Sequence, residues 1–143
     1  MQCRETGCVV KGRACAIFVG YGALHMPKVL LIDDETEICF LLSNVLRRAG
    51  AQCELAHSMA QGLLALDKDA YDAVFLDIHL PDGLGYDLIP EIRRRRPETR
   101  VIAISAVDNE RLMATDRGAD LFIPKPFSKD IVLNGLRTLG LPA

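Results

Sequence analysis

From residue 27 the chain alternates short unbroken apolar runs with longer stretches in which apolar residues recur every three or four positions. KVLLI (28–32) predicts a buried strand. In ETEICFLLSNVLRRAG, which follows it, Ile38, Leu41, Leu42, Val45 and Leu46 fall at helical spacing, and Gly50 stands where a helix ends. QCELA (52–56) predicts a second strand, and Ser58 caps a helix over SMAQGLLALDKD. DAVFLD (72–77) predicts a third strand, PDGLG a loop, and LIPEIRRRR a helix stopped before Pro97. RVIAIS (100–105), NERLMATDRG, ADLFI (119–123) and SKDIVLNGLRTLG, capped by Ser128, complete five strands and five helices.

Strands that alternate with helices run parallel, with helices on both faces of the sheet. Right-handed crossovers restrict the topology, and five strands fit the flavodoxin-like, doubly wound order 2-1-3-4-5. In that order the first and third strands are neighbours at the switch point, beyond whose carboxyl ends ligands bind.

The strand ends carry the candidate chemistry. The first strand runs into Asp33 and Asp34, the third ends at Asp77, the fourth at Ser105, and the fifth leads to Lys125. Three carboxylates at one rim repel one another, which favours protonation. A hard divalent cation such as Mg²⁺ relieves that repulsion through oxygen ligands. Carboxylates, cation, hydroxyl and ammonium together suit a phosphoryl group, with one aspartate as nucleophile.

Composition adds bounds rather than function. The 143 residues, 50% apolar and 25% charged, suit one soluble domain, and a net charge of −2 gives no general pull towards nucleic acid or anionic membrane. No apolar run approaches the roughly 18 residues of a membrane span. Five cysteines, with no CxxC pair, read as reduced thiols, and Cys3, Cys8 and Cys15 match no zinc spacing. Residues 1–26 are expected to be an extension, poorly ordered or ahead of the true start at Met26, and 27–143 the domain. The arginines 93–96 close a helix and suit its dipole, so they read as a solvated face. His57 and His79 read as lone surface histidines.

Residues 27–143 resemble the receiver domain of bacterial two-component response regulators, a CheY-like fold. The resemblance rests on the acid pair in LLIDDE, the aspartate in FLDIHLPDGLG, Ser105 in VIAISA and Lys125 in IPKPF, all in order. It implies that Asp77 accepts phosphate from a histidine kinase or phosphotransferase. It implies that Asp33, Asp34, Asp77 and the backbone carbonyl of His79 hold Mg²⁺, with Mn²⁺ a substitute. Lys125 would pair with the phosphoryl oxygens, Ser105 would hydrogen-bond them, and Phe122 would be the aromatic switch. Lys125–Pro126 would be cis, and His79 and Val107 would tune phosphate lifetime.

Each position also has a structural role open to it: helix caps for Asp33 and Asp34, a turn for Ser105, surface charge for Lys125, core for Phe122. Three further expectations follow the resemblance: a cytoplasmic stand-alone receiver, no direct DNA or membrane binding, and signalling to a downstream protein or a second copy through the helix 4–strand 5–helix 5 face. The alternatives are a receiver fragment of a larger regulator or hybrid kinase, and an aspartate-nucleophile, Mg²⁺-dependent phosphatase-like enzyme. That enzyme class carries a second acid two residues after its nucleophile, where this chain has His79.

Overall fold

Short runs of aliphatic residues with no polar interruption suit strands covered on both faces, and the chain folds accordingly. A computed structural model describes residues 26–107 and 110–141. The elements are β1 (Lys28–Ile32), α1 (Thr36–Arg48), β2 (Gln52–Ala56), α2 (Met59–Lys68), β3 (Ala73–Asp77), β4 (His79–Leu80), β5 (Gly83–Leu84), α3 (Leu88–Arg95), β6 (Arg100–Ser105), α4 (Glu110–Asp116), β7 (Leu121–Pro124) and α5 (Lys129–Thr138). Five strands pair in parallel in the order β2-β1-β3-β6-β7. With the β4–β5 hairpin set aside, this is the doubly wound order that the alternation predicts.

Because strand side chains alternate, each central strand feeds two cores. Leu30, Ile32, Val74, Leu76, Val101 and Ala103 face Leu66 of α2, Ile89 and Ile92 of α3 and Ala114 of α4. Val29, Leu31, Phe75, Ile102 and Ile104 face Leu42 and Leu46 of α1 and Val132 and Leu136 of α5. A fully buried side chain of this size contributes about 1.5–3 kcal/mol.

Two helix starts follow their capping chemistry. Ser58 Oγ accepts from the Gln61 N–H at 3.1 Å, and Ser128 Oγ from the Ile131 N–H at 3.3 Å; each cap contributes about 1 kcal/mol. Pro90 lies in the first turn of α3, where its missing N–H costs no helical bond. The expected strand over ADLFI begins later, at Leu121. The reason is helix closure: Gly118 takes φ +102°, and the Ala119 N–H donates back to the Ala114 carbonyl at 2.9 Å. Asn109, expected to open α4, and residues 1–25, with Cys3, Cys8 and Cys15, lie outside the described residues.

At the amino ends of the strands one device occurs twice. Asp72, just before β3, donates its N–H to the Lys28 carbonyl and accepts the Lys28 N–H on its carboxylate, both at 2.8 Å. Asp120, just before β7, makes the same pair of 2.8 Å bonds with Val101. Arg93 fastens the second clasp, holding the carboxylate of Asp120 at 2.8 Å and the carbonyls of Pro97, Thr99 and Gly118.

Candidate functional site

Strand pairing aligns the site. Ile32 of β1 pairs with Leu76 of β3, so the next residues, Asp33 and Asp77, stand level at the carboxyl end of the sheet. Both are buried, at 2% and 4% exposure. Ser105 ends β6 and is buried; it pairs with Pro124, and its carbonyl accepts the Lys125 N–H at 2.9 Å. This delivers Lys125 to the same rim, followed by a cis Lys125–Pro126 bond, as expected.

Lys125 Nζ is the hub. It lies 2.5 Å from Glu35 Oε1, 3.1 Å from Asp33 Oδ2 and 3.5 Å from Asp77 Oδ2. Asp33 Oδ2 makes no hydrogen bond despite its distance, so its attraction to the lysine is that of an ion pair alone. Carboxylate oxygens of Asp33, Glu35 and Asp77 come within 4.8 Å of one another. Such an oxygen set suits a hard cation. Asp34 is exposed and lines the cleft beside this set, and Glu35 adds its carboxylate to it. The cleft, about 250 Å³, is walled by Asp34, Glu35, Asp77, His79, Ala106 and Lys125.

Burial, then the neighbouring charge of Asp33, pushes the Asp77 carboxyl up to about 7; the Lys125 charge and the His79 N–H oppose this. Lys125 is pulled down by burial, but its bond to Glu35 and the charges of Asp33 and Asp77 outweigh that and hold it above its ordinary value. The carbonyl of Asp33 is gripped by His57 Nδ1 at 3.0 Å and the Cys39 thiol at 3.2 Å. A carbonyl only accepts, so Nδ1 of His57 carries the proton; this histidine is a strut rather than a lone surface ring. Burial and the Asp33 charge push Cys39 up to about 11, leaving it an unreactive thiol.

Two of the remaining expected residues have main-chain bonds to rim side chains, and the third lies in the core. The His79 N–H donates to Asp77 Oδ1 at 3.3 Å, and the Val107 N–H to Ser105 Oγ at 3.0 Å. Phe122 is buried in the α2–α3–α4 core, with the Arg111 guanidinium 5.2 Å from its ring centre.

The PDGLG stretch is more than a loop. β4 and β5 form a two-residue hairpin, and Asp82 at its turn accepts the Met59 and Ala60 N–H groups at the start of α2. Gly85 approaches the Asp77 main chain, and its N–H bonds the Ile78 carbonyl at 2.7 Å. Glu35, Asp82, Gly85 and Arg111 were not singled out from the sequence. Glu35 had a signal, as third acid of LLIDDE; the other three depend on long-range contacts.

This arrangement has close relatives. A family model, the response regulator receiver domain, matches residues 29–137, and the chain belongs to that family. It is 32% identical over 131 residues to the transcriptional regulatory protein TcrA of Mycobacterium tuberculosis, covering 90% of this chain and 49% of that protein. It is 34% identical over 116 residues to the transcriptional regulatory protein CpxR of Escherichia coli, covering 80% and 49%. The chain thus spans about half the length of the curated relatives it matches. Among solved structures, the BeF3-activated DrrB receiver domain superposes with TM-score 0.73 at 30% identity, covering 80% of this chain and 97% of that one. The chemotaxis response regulator CheY4 of Vibrio cholerae shares the fold, with TM-score 0.75 at 24% identity over 80% and 98% of the two chains. The protein is a response regulator receiver domain of two-component signalling.

Proposed function

We propose that Asp77 is the phosphoacceptor of this receiver, taking a phosphoryl group from a histidine kinase or phosphotransferase. The observation that carries this is a buried carboxylate at a strand end, open to a cleft and 3.5 Å from the Lys125 ammonium. An Asp77 oxygen attacks phosphorus of the phosphohistidine; the P–N bond breaks, and the imidazole nitrogen leaves with the electron pair and takes up a proton. Lys125 neutralises the incoming phosphoryl oxygens. Ser105 Oγ donates a hydrogen bond to them, and His79 and Val107 flank the approach of a hydrolytic water.

The acidic set fits Mg²⁺ or Mn²⁺: Asp33 keeps a buried oxygen without a hydrogen bond, beside two further carboxylates. Asp33, Asp34, Asp77 and the His79 carbonyl would hold the ion, which when bound supplies neutralising charge for phosphoryl transfer. Self-catalysed transfer and dephosphorylation are the only reactions assigned to the chain itself.

Residues 27–143 are taken as the receiver unit, working in the cytoplasm with a kinase upstream and a protein, or a second copy, on the α4–β7–α5 face. None of the described helices is long and apolar enough to cross a membrane. The curated relatives are named as transcriptional regulators. The arginine run of this chain does not supply DNA contacts in this reading, because Arg93 pairs with Asp120, Arg94 and Arg95 with Glu91, and Arg96 with Asp72.

The test is intact mass after acetyl phosphate treatment with and without Mg²⁺. Wild type gains one phosphoryl group only with Mg²⁺, and Asp77→Asn gains none; equal labelling of both proteins removes the assignment.

A further inference from the structure

We propose that Glu35 is a built-in anionic place-holder. Its carboxylate occupies Lys125 in the unphosphorylated protein and competes with the phosphoryl group on Asp77 for that lysine. The proposal rests on the assignment of Asp77 as phosphoacceptor, and it concerns a residue with no role in that assignment.

Three observations carry it. The closest partner of the Lys125 ammonium is not a buried aspartate but Glu35, at 2.5 Å against 3.1 and 3.5 Å. The two aspartates are nearly inaccessible, whereas the Glu35 side chain is 57% exposed. It is therefore the one carboxylate of the three that can swing into water without desolvation cost.

Glu35 is also the N-cap residue of α1, yet its side chain makes no capping bond. A position that favours aspartate, asparagine, serine or threonine for helix starts instead holds a longer acid whose carboxylate reaches Lys125. Its backbone is fixed, with its N–H on Asp33 Oδ1 at 2.8 Å and its carbonyl accepting the Cys39 N–H at 3.1 Å. The main chain holds still while the side chain is free to turn.

Charge counting gives the consequence. One ammonium faces three carboxylates before phosphorylation. A phosphoryl group adds further negative charge beside them, and its oxygens and the Glu35 carboxylate then draw on the same ammonium. Glu35 thus competes with the phosphoryl oxygens. It weakens their hold and makes Lys125 a shared ligand rather than a committed one. A residue that acts this way positions Lys125; it does not touch the reacting atoms.

The experiment compares wild type, Glu35→Gln, Glu35→Ala and Asp77→Asn, using beryllofluoride as phosphoryl stand-in and following amide NMR shifts. Beryllofluoride affinity is measured at saturating Mg²⁺, and Mg²⁺ affinity separately without beryllofluoride. Both Glu35 variants are expected to bind beryllofluoride more tightly by about two- to fivefold, the range that a partly exposed ion pair commands. The gain should shrink as salt screens the competing charge. Mg²⁺ affinity should fall by less than that range.

Unchanged or weaker beryllofluoride binding in both variants overturns the proposal. So does a loss of Mg²⁺ affinity of about tenfold or more, the scale expected of a ligand shell, which would make Glu35 a cation ligand instead. If Asp77→Asn binds beryllofluoride as wild type does, the phosphoacceptor assignment itself has failed and the place-holder falls with it. The Ala variant guards against an effect peculiar to the amide, and thermal melting of each variant checks that the fold is kept.

Discussion

A Cβ placed on Gly85 would stand 2.2 Å from the main-chain carbonyl oxygen of Asp77. No atom there can yield cheaply, because the obstacle is backbone at the end of a central strand. The β4–β5 hairpin therefore packs on Asp77 through a residue that has no side chain to spare.

Gly85→Ala is accordingly expected to cost about 1–3 kcal/mol, the range for overpacking, read as a lower urea midpoint at unchanged slope. It should also lower beryllofluoride affinity, since the strain lands on the main chain of Asp77. A variant as stable as wild type would show that the hairpin moves aside freely.

The pH dependence without divalent cation should report Asp77. Its carboxyl, pushed up to about 7 by burial and the Asp33 charge, sits near 3.9 in an unfolded chain. Between about pH 4 and 7 the folded protein holds the extra proton, so this group's contribution to stability falls as pH rises. Lys125 is raised, so its stabilisation is lost only in strongly alkaline solution. Asp82 and Glu91, held low by backbone N–H groups and by arginine bonds, add an opposite trend that wild type and variant share. Asp77→Asn should therefore gain on wild type across this window and exceed it at pH 8 by at least ~1 kcal/mol. Saturating Mg²⁺ should reduce that difference. Parallel stability curves would contradict the raised value.

Ser105→Ala should retain Mg²⁺ binding yet uncouple the rim from α4. Ser105 Oγ already accepts the Val107 N–H at 3.0 Å; a hydroxyl drawn to a phosphoryl oxygen releases that bond and the segment leading to α4. Beryllofluoride should then shift amides of residues 110–118 and 121–123 in wild type and shift them less in the variant. The lost coupling is about 1–3 kcal/mol. Identical shifts in both proteins would exclude the hydroxyl as the link.

Arg93→Ala should cost about 2–3 kcal/mol, because it removes a guanidinium that bonds a buried carboxylate, Asp120 at 4% exposure, and three main-chain carbonyls. Arg94→Ala, next in sequence but 66% exposed, should change stability by less than about 0.5 kcal/mol. Thermal or urea unfolding of the two single variants checks the contrast. Equal losses would mean that the run acts as general surface charge after all.

Much of this fold was legible because its central strands are nearly continuous apolar runs and their carboxyl ends lead into most of the charged rim residues. Asp33, Asp77, Ser105 and Lys125 meet because parallel pairing puts every strand's carboxyl end at one edge. The β4–β5 hairpin escaped because two-residue strands have no period to read. The late start of β7 escaped because closure of α4 through Gly118 uses Ala119. Glu35 was visible as an acid, but its partner lies 90 residues away in sequence, beyond any local pattern. The arginine run looked uniformly solvated, and only the fold separates Arg93 from Arg94.

The paired clasps at Asp72 and Asp120 reach further than their location suggests. Each fixes which residue of one strand lies beside which residue of the next, β3 against β1 and β7 against β6. From Asp72 to Asp77 is five residues, roughly 16 Å along a strand. A slip of one residue would turn Asp77 to the opposite face of the sheet, and the same slip in β7 would carry Lys125 out of step with Ser105. The geometry of the acidic rim is thus indexed from the far edge of the sheet. Changes at positions 72 and 120 should surface as altered phosphoryl chemistry in residues they never touch.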